Sequence, residues 1–173
     1  MVPLKMAKSI KLRQMQKADL TAVYELVRNT IQISYADTYP PEAIEFFRNY
    51  HSRENILKDL KVAYIIVAES DGQILGTGTV AGKDVGRVFI NPEFQHQGIG
   101  KLIAEELERK ARSQGLEKLE LSSSLKAREF WESEGFVFIK EFALPVANNK
   151  QLIYYEMAKK LKPSPVRLGG PAG

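Results

Sequence analysis

Between residues 63 and 115 the sequence changes its pattern sharply, and this stretch restricts the fold more than any other. "AYIIVAES", "DGQ" and "ILGTGTVAG" read as strand, turn and strand, and after "KD" the run "VGRVFI" reads as a third strand. Strands joined by connections this short pair as an antiparallel meander. The next segment, "GIGKLIAEELERKARSQG", places Ile99, Leu102, Ile103, Leu107 and Ala111 on one helical face and ends at Gly115, a C-cap residue. Upstream, "SIKLRQM" predicts a short strand, and Asp19 is expected to cap a helix through Tyr35. Pro41 starts a second helix and Ser52 caps a third. Downstream, "LEKLELS" predicts a strand, "SLKAREFWESEG" a helix stopped by Gly135, and "FVFIKEF" and "QLIYYEMAKKL" two final strands. The expectation is an α/β fold with a mixed, mostly antiparallel central sheet flanked by helices, and no internal repeat.

Composition narrows the function classes. A chain of 173 residues fits a single domain, and 44% hydrophobic with 27% charged residues is ordinary for a soluble protein. No apolar run reaches the roughly 18 residues that span a bilayer, and "MVPLKMAKSIKL" lacks a signal-peptide core, so a cytoplasmic protein without a membrane partner is expected. With no cysteine and only His51 and His96, disulfides, thiolate metal sites and a cysteine nucleophile are excluded and no metal is expected. The net charge of +4 resides in Lys159, Lys160, Lys162 and Arg167. Without them, residues 1–158 carry 21 basic and 21 acidic side chains, which argues against nucleic acid. The domain is therefore drawn at 1–162, and the basic, Pro/Gly-rich 163–173 is expected to be disordered.

The chemistry concentrates at "QHQGIGK", residues 95–101, between the strand ending at Ile90 and the long helix. A helix N-terminus presents unpaired N–H groups, and positions without a side chain let an anion approach them closely. Each well-placed anionic group gains roughly 0.3–1 kcal/mol there, so a diphosphate suits the loop. A P-loop would need glycine at 95 and Ser or Thr at 102, which are Gln95 and Leu102; a dinucleotide fingerprint would need glycine at 103, which is Ile103.

Gln95-x-x-Gly98-x-Gly100 resembles the pyrophosphate loop of the GNAT superfamily of N-acetyltransferases. After one further strand, Ala127, Phe130, Gly135 and Phe136 resemble that family's closing A-x-x-F-Y-x-x-x-G-F segment. The likeness covers about residues 10–160. It implies a GNAT-like domain using acetyl-CoA as co-substrate and a primary amine as acceptor, by direct attack without a covalent intermediate. Gln95, His96, Gln97, Gly98, Ile99, Gly100 and Lys101 would wrap the pyrophosphate. Val88 and Ile90 would offer backbone groups to the pantetheine arm, in a gap between two diverging parallel strands. Ser124 and Phe130 would flank the thiol end.

Two positions depart from the pattern. Many members have Asn where this chain has Ser124, which also reads as a helix N-cap, and a thiolate-protonating Tyr where it has Trp131, which reads as packing. A CoA-binding or regulatory module without turnover is the alternative. The resemblance further implies a base near the start of the strand before the loop, and Asp84 stands there, fourteen residues before Gly98, although "GKD" is also ordinary turn composition. In a regular strand Asp84, Gly86, Val88 and Ile90 would share one face. Asp37 and Glu42 are the next candidates. The side chains of His51 and His96 read as solvated loop residues. The family's acceptor site is lined by N-terminal helices, here about residues 30–50, rich in Tyr and Phe, while the acceptor's identity is not legible and a homodimer is left open.

Overall fold

The structure is a computed structural model that describes residues 2–163. The expected disordered tail falls on residues 163–173, which apart from Pro163 lie outside the described residues. Seven strands form one sheet: β1 (Lys11–Gln14), β2 (Tyr64–Ser70), β3 (Gln73–Ala81), β4 (Asp84–Ile90), β5 (Lys118–Ser123), β6 (Val137–Pro145) and β7 (Gln151–Lys160). Their spatial order is β1-β2-β3-β4-β5-β7-β6, and every pair is antiparallel except β4 with β5. The helices are α1 (Leu20–Ser34), α2 (Pro41–Tyr50), α3 (Arg53–Asp59), α4 (Ile99–Ser113) and α5 (Arg128–Ser133).

The sheet separates two cores. One joins Ile66, Leu75, Val85, Leu119, Leu121 and Met157 to Ile99, Ile103, Leu107 and Trp131 of α4 and α5. The other joins Ile65, Val67, Phe89 and Leu152 to Val23, Val27, Ile31, Ile44 and Ile56 of α1, α2 and α3. Gly78 lets α4 lie close on β3, because a Cβ at that position would stand 2.5 Å from Ile103 Cγ2. The alternation of "ILGTGTV" therefore serves helix packing as well as pairing, a role the strand pattern did not disclose.

Most elements match the expected ones, with corrections of physical interest. Leu102 is 40% exposed; Ala104 is buried with Ile99, Ile103, Leu107 and Ala111, so the apolar stripe is narrower than expected. Asp19 makes no capping hydrogen bond to α1. Its carboxylate is held by both terminal nitrogens of Arg13 and accepts from the Gln16 amide, tying β1 to the start of the helical layer. Arg13 thereby holds the Asp19 carboxyl below the usual carboxylate range. The last helix is shorter than expected: 124–127 is a turn leading into α5. Ser52 does cap α3, accepting from Asn55 N at 3.2 Å, and Pro41 does open α2.

Candidate active site

The parallel pair β4 and β5 is joined at only two positions, Asp84 opposite Glu120 and Val85 opposite Leu121. Beyond them the strands diverge, leaving the β5-facing side of residues 86–90 without a ladder. On its other side β4 pairs with β3, but the register jumps from Thr79–Gly86 to Thr77–Phe89, so β4 carries one extra residue there. Arg87 takes up the irregularity with φ +45°, a conformation costing a non-glycine residue about 1–2 kcal/mol.

The bulge overturns the expected shared face. Val85 packs in the α4 core, and Val88 and Ile90 pack against that same core, three and five residues on. Phe89 enters the opposite core. Asp84 and its neighbour Glu120 alternate with Val85 and Leu121, and so fall on the α1–α3 face. The inserted residue reverses the alternation, because a strand with one unpaired residue changes sides.

At the end of β4, Pro92–Phe94 form a single 3₁₀ turn, and the loop reaches α4 through two left-handed residues, His96 (φ +63°) and Gly98 (φ +82°). Alternating handedness turns successive N–H groups inward into an anion-binding nest. A Cβ at Gly98 would meet nothing within 4 Å, so this position is constrained by its backbone and opens onto free space. Gly100 is constrained by packing: a Cβ would stand 3.2 Å from the Phe130 ring, which covers the first turn of α4. Gln95 points back, its Nε2 donating to Ile90 O at 3.1 Å. The Gln97 side chain holds the N-terminal segment, accepting from Ala7 N at 2.9 Å and donating to Lys5 O. Lys101 is exposed and pairs with Glu105. Ile99 is buried, leaving only its backbone for the loop.

A cleft of about 690 Å³ occupies the gap and draws on both faces of the sheet, a size suited to a small-molecule site. Asp84, Gly86 and Val88 line it from β4, Ser122 and Ser123 from β5, Ser124 from just beyond it, Ala127 and Trp131 from the α5 side, and Tyr35, Phe47 and His51 from the helical layer. Ser124 is buried and its Oγ accepts from Ala127 N at 3.3 Å, which closes the turn before α5; the helix N-cap is Ala127, not Ser124 as expected. Trp131 is 6% exposed and stacks edge-on to Phe130 and Phe136, which is packing. Tyr39 joins three segments, donating to Ile153 O at 2.8 Å and accepting from Leu125 N at 2.9 Å; burial pushes its phenol up to about 12. Asp37 pairs with Lys126, and Glu42 accepts from Asn148, so both carboxylates are engaged away from the gap.

His51 is the residue that sequence reasoning misjudged. It is not a solvated loop side chain: it packs edge-on against Phe89, and Arg87 Nε donates to its Nδ1 at 3.1 Å. Burial, and secondly the charge of Arg87, push its pKa down from 6.5 to about 3. The imidazole is neutral at pH 7 and carries its proton on Nε2. Since the unfolded state takes up this proton near pH 6.5 and the folded state only near 3, stability contributed here is complete above 6.5 and falls as pH drops between those values. From pH 7 to pH 5 the loss from this group is roughly 2 kcal/mol. Chemical denaturation of the parent and of His51→Gln at the two pH values measures it: the variant is expected to lose that much less. No signal in the sequence marked His51, because its partner Arg87 is 36 residues away.

With this geometry in place, comparison with known proteins is informative. The family model of the acetyltransferase (GNAT) domain matches residues 35–161. A spermidine N(1)-acetyltransferase from Thermoplasma acidophilum is 27% identical over 119 residues, covering 62% of this chain and 74% of that protein. Among solved structures, a GCN5-related N-acetyltransferase from Rhodopseudomonas palustris superposes with a TM-score of 0.81 at 20% identity, covering 91% of this chain and 99% of that one. The PaiA N-acetyltransferase from Thermoplasma acidophilum, solved with coenzyme A, gives 0.72 at 23%, covering 89% and 100%. Identities this low speak for a common fold.

Proposed function

Because this chain belongs to the GNAT acetyltransferase domain family, whose enzymes move an acetyl group from acetyl-CoA to an amine, we propose that the β4–β5 gap receives the pantetheine arm and the 95–101 nest receives the pyrophosphate. The observation that carries this reading is the divergence of β4 and β5, the one parallel strand pair among the described residues, directly below a left-handed loop that opens onto free space at Gly98. Acetyl-CoA would supply the activated acyl thioester, and coenzyme A would leave as the free thiol. The chain's part is to hold the thioester and to deliver a neutral amine.

An amine of pKa near 10.4 is protonated at pH 7 and must lose a proton before attack. Asp84 stands where β4 and β5 meet, at the closed end of the gap, on the face that carries the aromatic helical layer. It is exposed, so a water relays the proton to its carboxylate. Unpaired N–H groups of β4 beyond Val85 face the gap and stabilise charge developing on the carbonyl oxygen. The reading extends to a domain of residues 1–162 and to a cytoplasmic setting, supported by a sequence with no cysteine for disulfides. Among the described residues no helix is long and apolar enough to cross a membrane. It also takes in a homodimer, supported by the exposed Val137, Phe138 and Ile139 on the edge strand β6.

Acetyl-CoA at about 100 times its dissociation constant is expected to stabilise the fold by roughly 2.7 kcal/mol, read as a melting shift. Gly98→Val is expected to lose that shift. It also costs about 1–2 kcal/mol of stability, since valine must adopt the left-handed conformation. An undiminished shift in Gly98→Val places the pyrophosphate elsewhere.

A further inference from the structure

The acceptor side of the cleft contains a buried cation that the transfer chemistry described above does not use. We propose that the acceptor is a small molecule carrying a carboxylate as well as its primary amine, and that Arg87 receives the carboxylate. This rests on the reading of the β4–β5 gap as the acetyl-CoA site.

The Arg87 side chain is 5% exposed and lines the cleft one residue from Val88. Its Nε is engaged by His51. Its Nη1 lies 2.7 Å from Asp59 Oδ2, an ion-pair contact without hydrogen-bond alignment, so this buried donor has no proper acceptor. Asp59 is 40% exposed and can turn to water when an anion arrives. His51, held neutral, offers no countercharge. A guanidinium with unspent N–H groups in a dry wall suits a carboxylate, which it binds through two parallel hydrogen bonds.

The remaining cleft charges agree. Glu120 is engaged by Lys83 and Lys118, and Asp59 by Arg87. Asp84 and Glu156 remain to attract an ammonium. A polyamine would need a free carboxylate at both ends of its path, and at this end Asp59 is committed to Arg87. Tyr35, Phe47 and Phe89 form the apolar wall, with ring centroids 5.0 Å apart for the first two and 6.4 Å from Tyr35 to Phe89.

The test compares amino acids with their decarboxylated partners as acceptors, following CoA release: phenylalanine with phenethylamine, tyrosine with tyramine, lysine with cadaverine, and spermidine beside them. At least one amino acid is expected to exceed its partner in kcat/KM by roughly tenfold or more. Arg87→Gln is expected to bring that ratio to about one, and Arg87→Lys, which keeps the charge and loses the fork, to an intermediate value. The parent's own ratio needs no variant to fold. Equal rates or a preference for the amine overturn the proposal. So does turnover confined to spermidine or cadaverine, or no turnover on any acceptor while acetyl-CoA still raises the melting temperature. Absence of the acetyl-CoA shift in the parent instead overturns the assignment of the gap, and this proposal with it.

Discussion

Asp84→Asn is expected to lower kcat/KM for acetyl transfer by roughly 10²–10⁴. Amide for carboxylate keeps the shape and removes the proton acceptor. Asp84 is exposed and among the described residues makes no side-chain hydrogen bond or ion pair, so stability is expected to stay within about 0.5 kcal/mol. The acetyl-CoA melting shift is expected to be unchanged, because the nest and the upper gap lie at the other end of β4. If the variant turns over like the parent, the base lies elsewhere, and Glu156, on the same face of the sheet and without an ion-pair partner among the described residues, becomes the candidate. Asp37 and Glu42 do not, since Lys126 and Asn148 hold them outside the gap.

Trp131→Ala is expected to cost about 3–5 kcal/mol of stability, the usual range for deleting a large buried aromatic. For a chain of this size that is roughly 6–20 °C in Tm. The indole fills the space between Phe130 and Phe136, with centroids 4.8 and 5.2 Å away, and removing it loosens the ring that covers Gly100. Trp131→Phe keeps most of that packing and should leave turnover within a few fold, because an indole cannot deliver a proton to a leaving thiolate as a phenol can. A loss of several hundred fold in Trp131→Phe, with the melting temperature near the parent's, would assign the indole a part in the chemistry.

The order of elements, the antiparallel meander, the loop at 95–101 and the cap of α3 by Ser52 were all legible along the chain. Each depends on neighbours within a few residues: short connections force hairpin pairing, glycine permits the left-handed φ at 98, and a serine oxygen reaches an amide three residues on. Family membership was legible for the same reason, since its two motifs are local. What residue spacing could not show was decided by contacts between distant segments. The bulge in β4 exists because β3 and β5 pair with it in different ways, one through a shifted antiparallel register and one through only two parallel positions. It separates the face of Asp84 from that of Val88 and Ile90, which period-two counting had joined. The Arg87–His51–Asp59 group brings together a strand, a loop and a helix, and the state of each member depends on the others. The imidazole is neutral because it is buried beside a guanidinium, and the guanidinium is unsaturated because its acid partner is poorly aligned. Protonation and hydrogen-bond saturation are properties of an environment, and only the folded chain creates that environment.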